Sequence, residues 1–240
     1  MQVVTLLNRI GDKMSGIARN ARAYVSPRHL STTARLRDKA RIWVVGPTGV
    51  GKTTLINTCL GDALEGADLG APSTVKFEWR LKEPRTVAFA DTQGIEMIAG
   101  PEQVAWVARL LNDTPEVERP HVVWLCVRQE ASRVFGQGKF RSTGTEAALA
   151  QLAIDDGLPC VGVLTQAEEG GLERAQMIAA MRAHLPGLQE VVPVCARDRY
   201  SDRALAVRRH GLDHLRHITL SLFPVSLRQR IASGWPPIGF

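Results

Sequence analysis

The sequence predicts an α/β fold: a doubly wound, mostly parallel sheet with helices on both faces. Three observations point there. Short apolar runs without polar alternation recur along the chain: Arg41–Val45, Thr86–Ala90, His121–Val127, Cys160–Leu164 and Val191–Cys195. Windows with helical spacing lie between them, roughly 101–112, 143–156, 172–184 and 211–223. A glycine-rich segment, Gly46–Gly51, joins the first run to a helix that continues through Leu55–Leu60. Strands buried on both faces need no alternation, and the helices between them supply the crossovers that parallel pairing requires. In such sheets ligands bind at the carboxyl ends of the strands.

Ahead of the first strand, Val3, Leu7, Ile10, Met14, Ile17, Ala21 and Tyr24 alternate steps of four and three, the spacing of one helix face. Arg9, Lys13, Arg19 and Arg22 lie off that stripe. Residues 25–38 carry Pro27 and a Ser/Thr cluster and read as a linker. At the other end, Leu212, Leu215, Ile218 and Leu222 mark a last helix, with Leu222 and Phe223 in the core. The chain therefore divides into a basic amphipathic helix and linker (1–38), a central domain (39–224) and a C-terminal tail (225–240).

Composition narrows the function classes. The 240 residues are 45% hydrophobic, enough to bury a core, and carry a formal net charge of +6. That charge is uneven: residues 1–41 sum to +7, residues 42–196 to −6 and residues 197–240 to +5. An acidic body between basic ends does not support a polyanion groove across the central domain. No apolar run reaches the roughly 18–20 residues of a membrane-spanning helix. The N-terminus lacks the features of a secretory signal, although its Arg-rich, Ser/Thr-containing, acid-poor character also resembles a mitochondrial transit peptide. Cys59, Cys126, Cys160 and Cys195 are far apart, without zinc or disulfide spacing, and fit reduced thiols in a cytoplasmic protein.

The strongest motif is Gly46-Pro47-Thr48-Gly49-Val50-Gly51-Lys52-Thr53-Thr54, which fits G-x-x-x-x-G-K-[ST] between a strand and a helix. Glycines let the backbone close around a phosphate, and exposed N–H groups at the helix start bind the anion. Lys52 would reach the β- and γ-phosphates, and the Thr53 hydroxyl would coordinate Mg²⁺. Asp91-Thr92-Gln93-Gly94 follows the second strand. Asp91 would hold Mg²⁺ through water, and the Gly94 N–H would sense the γ-phosphate. Thr165-Gln166-Ala167-Glu168 and Cys195-Ala196-Arg197 follow two later strands.

With these motifs, residues 40–224 resemble the Era-like group of the translation-factor-related GTPases, with a domain of the 50S ribosome-binding-GTPase type. The resemblance implies a P-loop NTPase G domain that binds GTP and GDP with Mg²⁺ and hydrolyses GTP as a molecular switch. The family reads guanine with [N/T]-K-x-D after one strand and S-A-K after the next. It thereby implies base contacts for Thr165, Gln166, Glu168, Cys195 and Ala196. Gln166 stands where the family has Lys and keeps the methylenes and amide without the cation. Glu168 stands where it has Asp, with its carboxylate one methylene further out. Ala196 would offer its backbone N–H to the guanine oxygen.

The loop Leu69–Thr74 is where a switch threonine belongs; Thr74 would put its hydroxyl on Mg²⁺, with Ser73 as the neighbouring alternative. Lys52, Thr74 and Gly94 then form the catalytic set, and Thr53, Thr74 and Asp91 the metal set. Where Ras-like proteins orient water with Gln, this chain has Ile95, with Gln93 and Glu96 displaced, which implies slow turnover. An activating protein or a homodimer would accelerate it. Arg80, Arg85, Arg128 and Arg133 are candidate arginine fingers, each read as a surface charge.

Three readings remain for the N-terminal stripe: packing on its own domain, docking on a protein or second copy, or lying on an anionic membrane. Two alternatives stand beside the switch. One is a nucleotide-dependent module that binds RNA, the ribosome or a membrane through its basic ends with negligible turnover. The other is an ATPase or kinase on the same loop.

Overall fold

The computed structural model describes residues 34–61, 77–82, 86–92, 109, 111–129, 145–168, 170, 172–202, 204–235 and 238. The N-terminal stripe over residues 1–24 and most of the window at 101–112 lie outside the described residues.

Six strands form one sheet: β1 (Ala40–Val45), β2 (Phe77–Leu81), β3 (Val87–Thr92), β4 (Val122–Arg128), β5 (Cys160–Thr165) and β6 (Leu188–Val194). Their spatial order is β2-β3-β1-β4-β5-β6. Every pair is parallel except β2 with β3. The five parallel strands are the five apolar runs of the sequence, within a few residues at each end. Ile42, Trp43, Val44 and Val45 are all fully buried, so successive side chains on both faces of β1 meet apolar neighbours. Pro193 sits in β6, which among the described strands pairs only with β5, so its missing N–H costs the ladder nothing on the open side.

Helices α1 (Lys52–Cys59), α2 (Thr145–Asp155), α3 (Leu172–His184), α4 (Leu212–Leu222) and α5 (Val225–Gly234) cover the two faces. Leu55 and Ile56 of α1, Leu215 of α4 and Ile231 of α5 pack with Val44, Phe89 and Trp124. Ala150 and Ala153 of α2 and Met177 and Met181 of α3 pack with Trp43 and Leu164 on the other face. A hairpin of β7 (Arg199–Ser201) and β8 (Ala204–Val207) stands apart from the sheet, tied back by the antiparallel bridge Cys195–His210.

Residues on either side of 39–224 pack into the same core. Leu36, in the segment read as linker, is fully buried. Residues 225–235, read as tail, contain α5 and the fully buried Trp235. The Trp235 ring meets Phe89 edge-on at 5.9 Å and lies 6.3 Å from Trp124. Trp124 in turn donates from Nε1 to the buried Thr219 hydroxyl at 3.0 Å. Phe223 is fully buried, and Leu222 packs partly buried against the same cluster. All four cysteines are buried free thiols, and burial pushes Cys126 and Cys160 up to about 12. Among the described residues no helix is long and apolar enough to cross a membrane.

Candidate functional site

The loops after β1, β5 and β6 leave the carboxyl edge of the sheet, and with the end of β3 they build the site. The first begins at Gly46, whose φ is +154° and where an added Cβ would lie 2.5 Å from the Cys126 carbonyl oxygen. Only glycine allows β1 to turn this close to β4. The turn ends at Gly51, φ +100°, which caps α1. No side chain caps this helix start, and its first turn has no acidic residue. Its N–H groups therefore face the loop, the arrangement that binds anions at helix N-termini.

Lys52 is 7% exposed and arches back over the loop, donating from Nζ to the Gly46 carbonyl at 2.7 Å and the Pro47 carbonyl at 3.1 Å. Thr53 Oγ1 donates to Asp91 Oδ2 at 2.8 Å, which brings the start of α1 against the end of β3. Asp91 is 1% exposed, and burial pushes its carboxyl above the usual range. The Thr53 hydrogen bond and the charges of Lys52 and Arg80 pull it back.

Asp91 Oδ1 is buried with no hydrogen-bond partner among the described residues. A carboxylate oxygen left over beside a hydroxyl is a donor set that suits a hard cation such as Mg²⁺, which takes few protein oxygens and keeps phosphate and water ligands. Thr53 and Asp91 would hold it.

Arg80 corrects an expectation. Its side chain is only 15% exposed, and Nε lies 4.0 Å from Asp91 Oδ2, so it is no surface charge. The reason is β2: Arg80 pairs across the antiparallel ladder with Phe89, two residues from Asp91 and on the same face. Arg128 is exposed, as expected, and donates from Nε to Gln166 Oε1 at 2.9 Å.

On the other side of α1 lies an open cavity of ≈ 280 Å³, lined among others by Thr54, Gln166, Cys195, Ala196, Arg197 and Arg199. Thr165 is buried there, with Oγ1 2.7 Å from the Val50 carbonyl, which ties the loop after β5 to the glycine loop. Gln166 has φ +53°, a left-handed conformation uncommon outside glycine. Cys195 donates its thiol hydrogen to the Arg197 carbonyl at 3.0 Å. Of the residues expected at a base, Thr165, Gln166, Cys195 and Ala196 line this cavity together.

Glu168 does not line it. It borders a neighbouring depression with Ala206, Val207 and Arg208. Its backbone N–H donates to Gln129 Oε1 at 3.1 Å, and its carboxylate lies 3.6 Å from Arg199 Nη1. Gln129 carries no signal in the sequence, and Arg199 counts there only as one of the arginines of the basic C-terminal segment. Gln129 stands between Arg128 and Glu130 after an apolar run and belongs to no motif. Arg199 reaches the site only because the hairpin folds back. Ser73, Thr74, Arg85, Gln93, Gly94, Ile95, Glu96 and Arg133 lie outside the described residues.

A strand–glycine loop–helix unit, with an aspartate at the end of the neighbouring strand, on a doubly wound sheet, defines a P-loop G domain. Residues 41–166, more than half of the chain, match the family model described as 50S ribosome-binding GTPase. The chain belongs to that family of GTP-binding G-domain proteins. No curated protein matches it.

Solved structures share the fold at low identity. Era in complex with MgGDPNP and a segment of 16S ribosomal RNA is 18% identical, with TM-score 0.50, over 78% of this chain and 57% of that one. A probable GTP-binding protein EngB is 15% identical, with TM-score 0.50, over 80% of this chain and 100% of that one. Aquifex aeolicus Era bound to GDP·AlF4⁻ is 19% identical, with TM-score 0.49, over 78% of this chain and 57% of that one. The chain thus spans little more than half the length of the Era chains.

Proposed function

We propose that this chain binds GTP and GDP with Mg²⁺, hydrolyses GTP slowly and acts as a molecular switch. The observation that carries the reading is the 2.8 Å Thr53–Asp91 hydrogen bond, which gathers the glycine loop and the end of β3 at one point. The backbone of Gly46–Thr54 cradles the phosphates, and Lys52 leaves its loop carbonyls to meet the β- and γ-oxygens. Thr53, Asp91 and Thr74 would hold Mg²⁺, which would supply neutralising charge. Lys52, Thr74 and Gly94 hold the transferred phosphoryl group in place. Thr165, Gln166, Cys195 and Ala196 surround the base, with Glu168 at the rim. Ile95, where a water-orienting Gln would stand, makes intrinsic turnover slow, and an activating protein or homodimer raises it.

A second reading is a nucleotide-dependent binding module with negligible turnover, located in the cytoplasm or at the membrane periphery. The observation favouring it is the hairpin beside the base cavity: Tyr200 is 65% exposed among Arg197, Arg199, Arg208 and Arg209. An aromatic among arginines suits RNA, and the basic N-terminal segment suits RNA, the ribosome or an anionic membrane.

Phosphate release from GTP separates the two. The switch reading expects slow turnover that Lys52→Ala abolishes. Turnover no faster than in Lys52→Ala favours the module, provided ribosome or liposome co-sedimentation is retained. Removing residues 1–33, which leaves Leu36 in the core, should then abolish that co-sedimentation while nucleotide binding persists. If the intact chain binds neither ribosomes nor liposomes, the module reading fails.

A further inference from the structure

We infer that Arg128 is a positioning residue for the nucleotide: by donating to Gln166 Oε1 it turns the amide nitrogen of Gln166 towards the bound nucleoside, a role that rests on the proposed guanine-nucleotide binding.

Gln166 is held at both ends. Its backbone has φ +53°, a left-handed conformation uncommon outside glycine. Arg199 Nη1 donates to its carbonyl at 3.2 Å, and the hydroxyl of the preceding Thr165 donates to the Val50 carbonyl at 2.7 Å. The backbone is therefore pinned between the hairpin and the glycine loop. At the far end of the side chain, Arg128 Nε donates to Oε1 at 2.9 Å. The side chain lies over the start of α1: a Cβ built on Gly51 would be 3.8 Å from Gln166 Nε2. Gly51, Thr54 and Gln166 line the same cavity. The amide nitrogen thus sits between the proposed phosphate loop and the proposed base cavity.

The chemistry follows from which groups can exchange roles. A primary amide carries an acceptor oxygen and a donor nitrogen on one carbon, and half a turn about its last bond swaps them. A guanidinium only donates, so Arg128 selects the oxygen. The nitrogen is left beside Gly51, where it can donate to an acceptor of the nucleoside. Without Arg128 the amide populates both orientations, and affinity falls with the fraction that is competent. Gln166→Lys would need no such partner, since an ammonium presents hydrogens whichever way it turns.

The test is the affinity of the full chain for mant-GDP with Mg²⁺. The variants are Arg128→Leu, Arg128→Lys, Gln166→Met and Gln166→Lys, with Arg128→Leu also placed in each Gln166 background. Arg128→Leu should weaken binding about two- to fivefold. Arg128→Lys, also a pure donor, should recover most of that loss. Gln166→Met keeps the length without the amide and should weaken binding at least as much as Arg128→Leu. In the Gln166→Met and Gln166→Lys backgrounds, Arg128→Leu should make no further difference. The Arg128 side chain is exposed, so Arg128→Leu should leave the melting temperature unmoved. Wild-type affinity in Arg128→Leu overturns the inference. An equal loss with and without the Gln166 amide also overturns it, because the arginine would then act by its charge alone. A melting temperature that falls with the affinity marks a merely structural role and overturns it too. Each of these results leaves guanine-nucleotide binding standing. Absence of mant-GDP binding to the wild type overturns both this role and the function beneath it.

Discussion

The Thr53 hydroxyl donates to Asp91 Oδ2 at 2.8 Å, and the other carboxylate oxygen, Oδ1, is buried without a hydrogen-bond partner among the described residues. One oxygen is thus engaged by the helix that follows the phosphate loop, and the second remains for a cation. Asp91→Asn keeps an oxygen for Thr53 but removes the charge. Nucleotide affinity measured with Mg²⁺ and with EDTA should differ at least about tenfold in the wild type, as expected for a charge-assisted contact. The two values should coincide in Asp91→Asn. An undiminished Mg²⁺ effect in the variant would remove Asp91 from the metal site.

Gly46→Ala should impair folding and nucleotide binding together. Its Cβ would sit 2.5 Å from the Cys126 carbonyl at a φ of +154°, so both backbone strain and a clash with β4 arise. A cost of about 2–4 kcal/mol is expected in urea unfolding. Gly49 has nothing within reach of an added Cβ, but its φ of +76° leaves only backbone strain. Gly49→Ala should therefore cost less, about 1–2 kcal/mol.

Trp235→Ala should destabilise the protein by about 3–5 kcal/mol, the range for removing a buried large aromatic. Trp235 is fully buried against Phe89 and Trp124. Ending the chain at Pro224 should cost at least as much, since Ile231 is lost as well. Thermal melts followed by circular dichroism test this. A truncated chain as stable as the full one would mean that α5 adds nothing to the core.

His121 should make stability fall in mild acid. Its Nδ1 accepts from the Arg41 backbone N–H at 3.0 Å, and the Arg41 guanidinium lies 3.3 Å from Nε2. Burial first, then the Arg41 charge, lowers its pKa from 6.5 to about 4. A depressed folded-state pKa means that protonation favours the unfolded chain. The stability contribution is complete above about pH 6.5 and is lost as pH drops towards 4. Urea midpoints between pH 7 and pH 4 should decline less steeply in His121→Gln than in the wild type.

The parts of the fold legible in the sequence are those set by local chemistry. Continuous apolar runs disclosed the five parallel strands, and the glycines and Lys52-Thr53 disclosed the phosphate loop. Strand β2 was not read. Its Phe77, Trp79 and Leu81 alternate with Glu78 and Arg80 over only five residues at the sheet edge. That alternation suits one side-chain face more polar than the other, not a buried parallel strand. Helix α5 carries apolar Leu227 and Ile231 among arginines, a pattern that looks solvated until Trp235 anchors it. Half of the base side was legible as motifs. The place of Arg199 at the cavity was not, because it depends on the Cys195–His210 bridge and on the carbonyl of Gln166, neither of which any local spacing encodes.

The most direct measurement is equilibrium titration of the full chain, with Mg²⁺, against mant-GTP, mant-GDP and mant-ATP, alongside Lys52→Ala. Guanine nucleotides should bind more tightly than ATP, and Lys52→Ala should lose measurable binding of all three. Equal affinity for GTP and ATP would contradict guanine recognition. Unchanged affinity in Lys52→Ala would contradict the phosphate site at Gly46–Thr54.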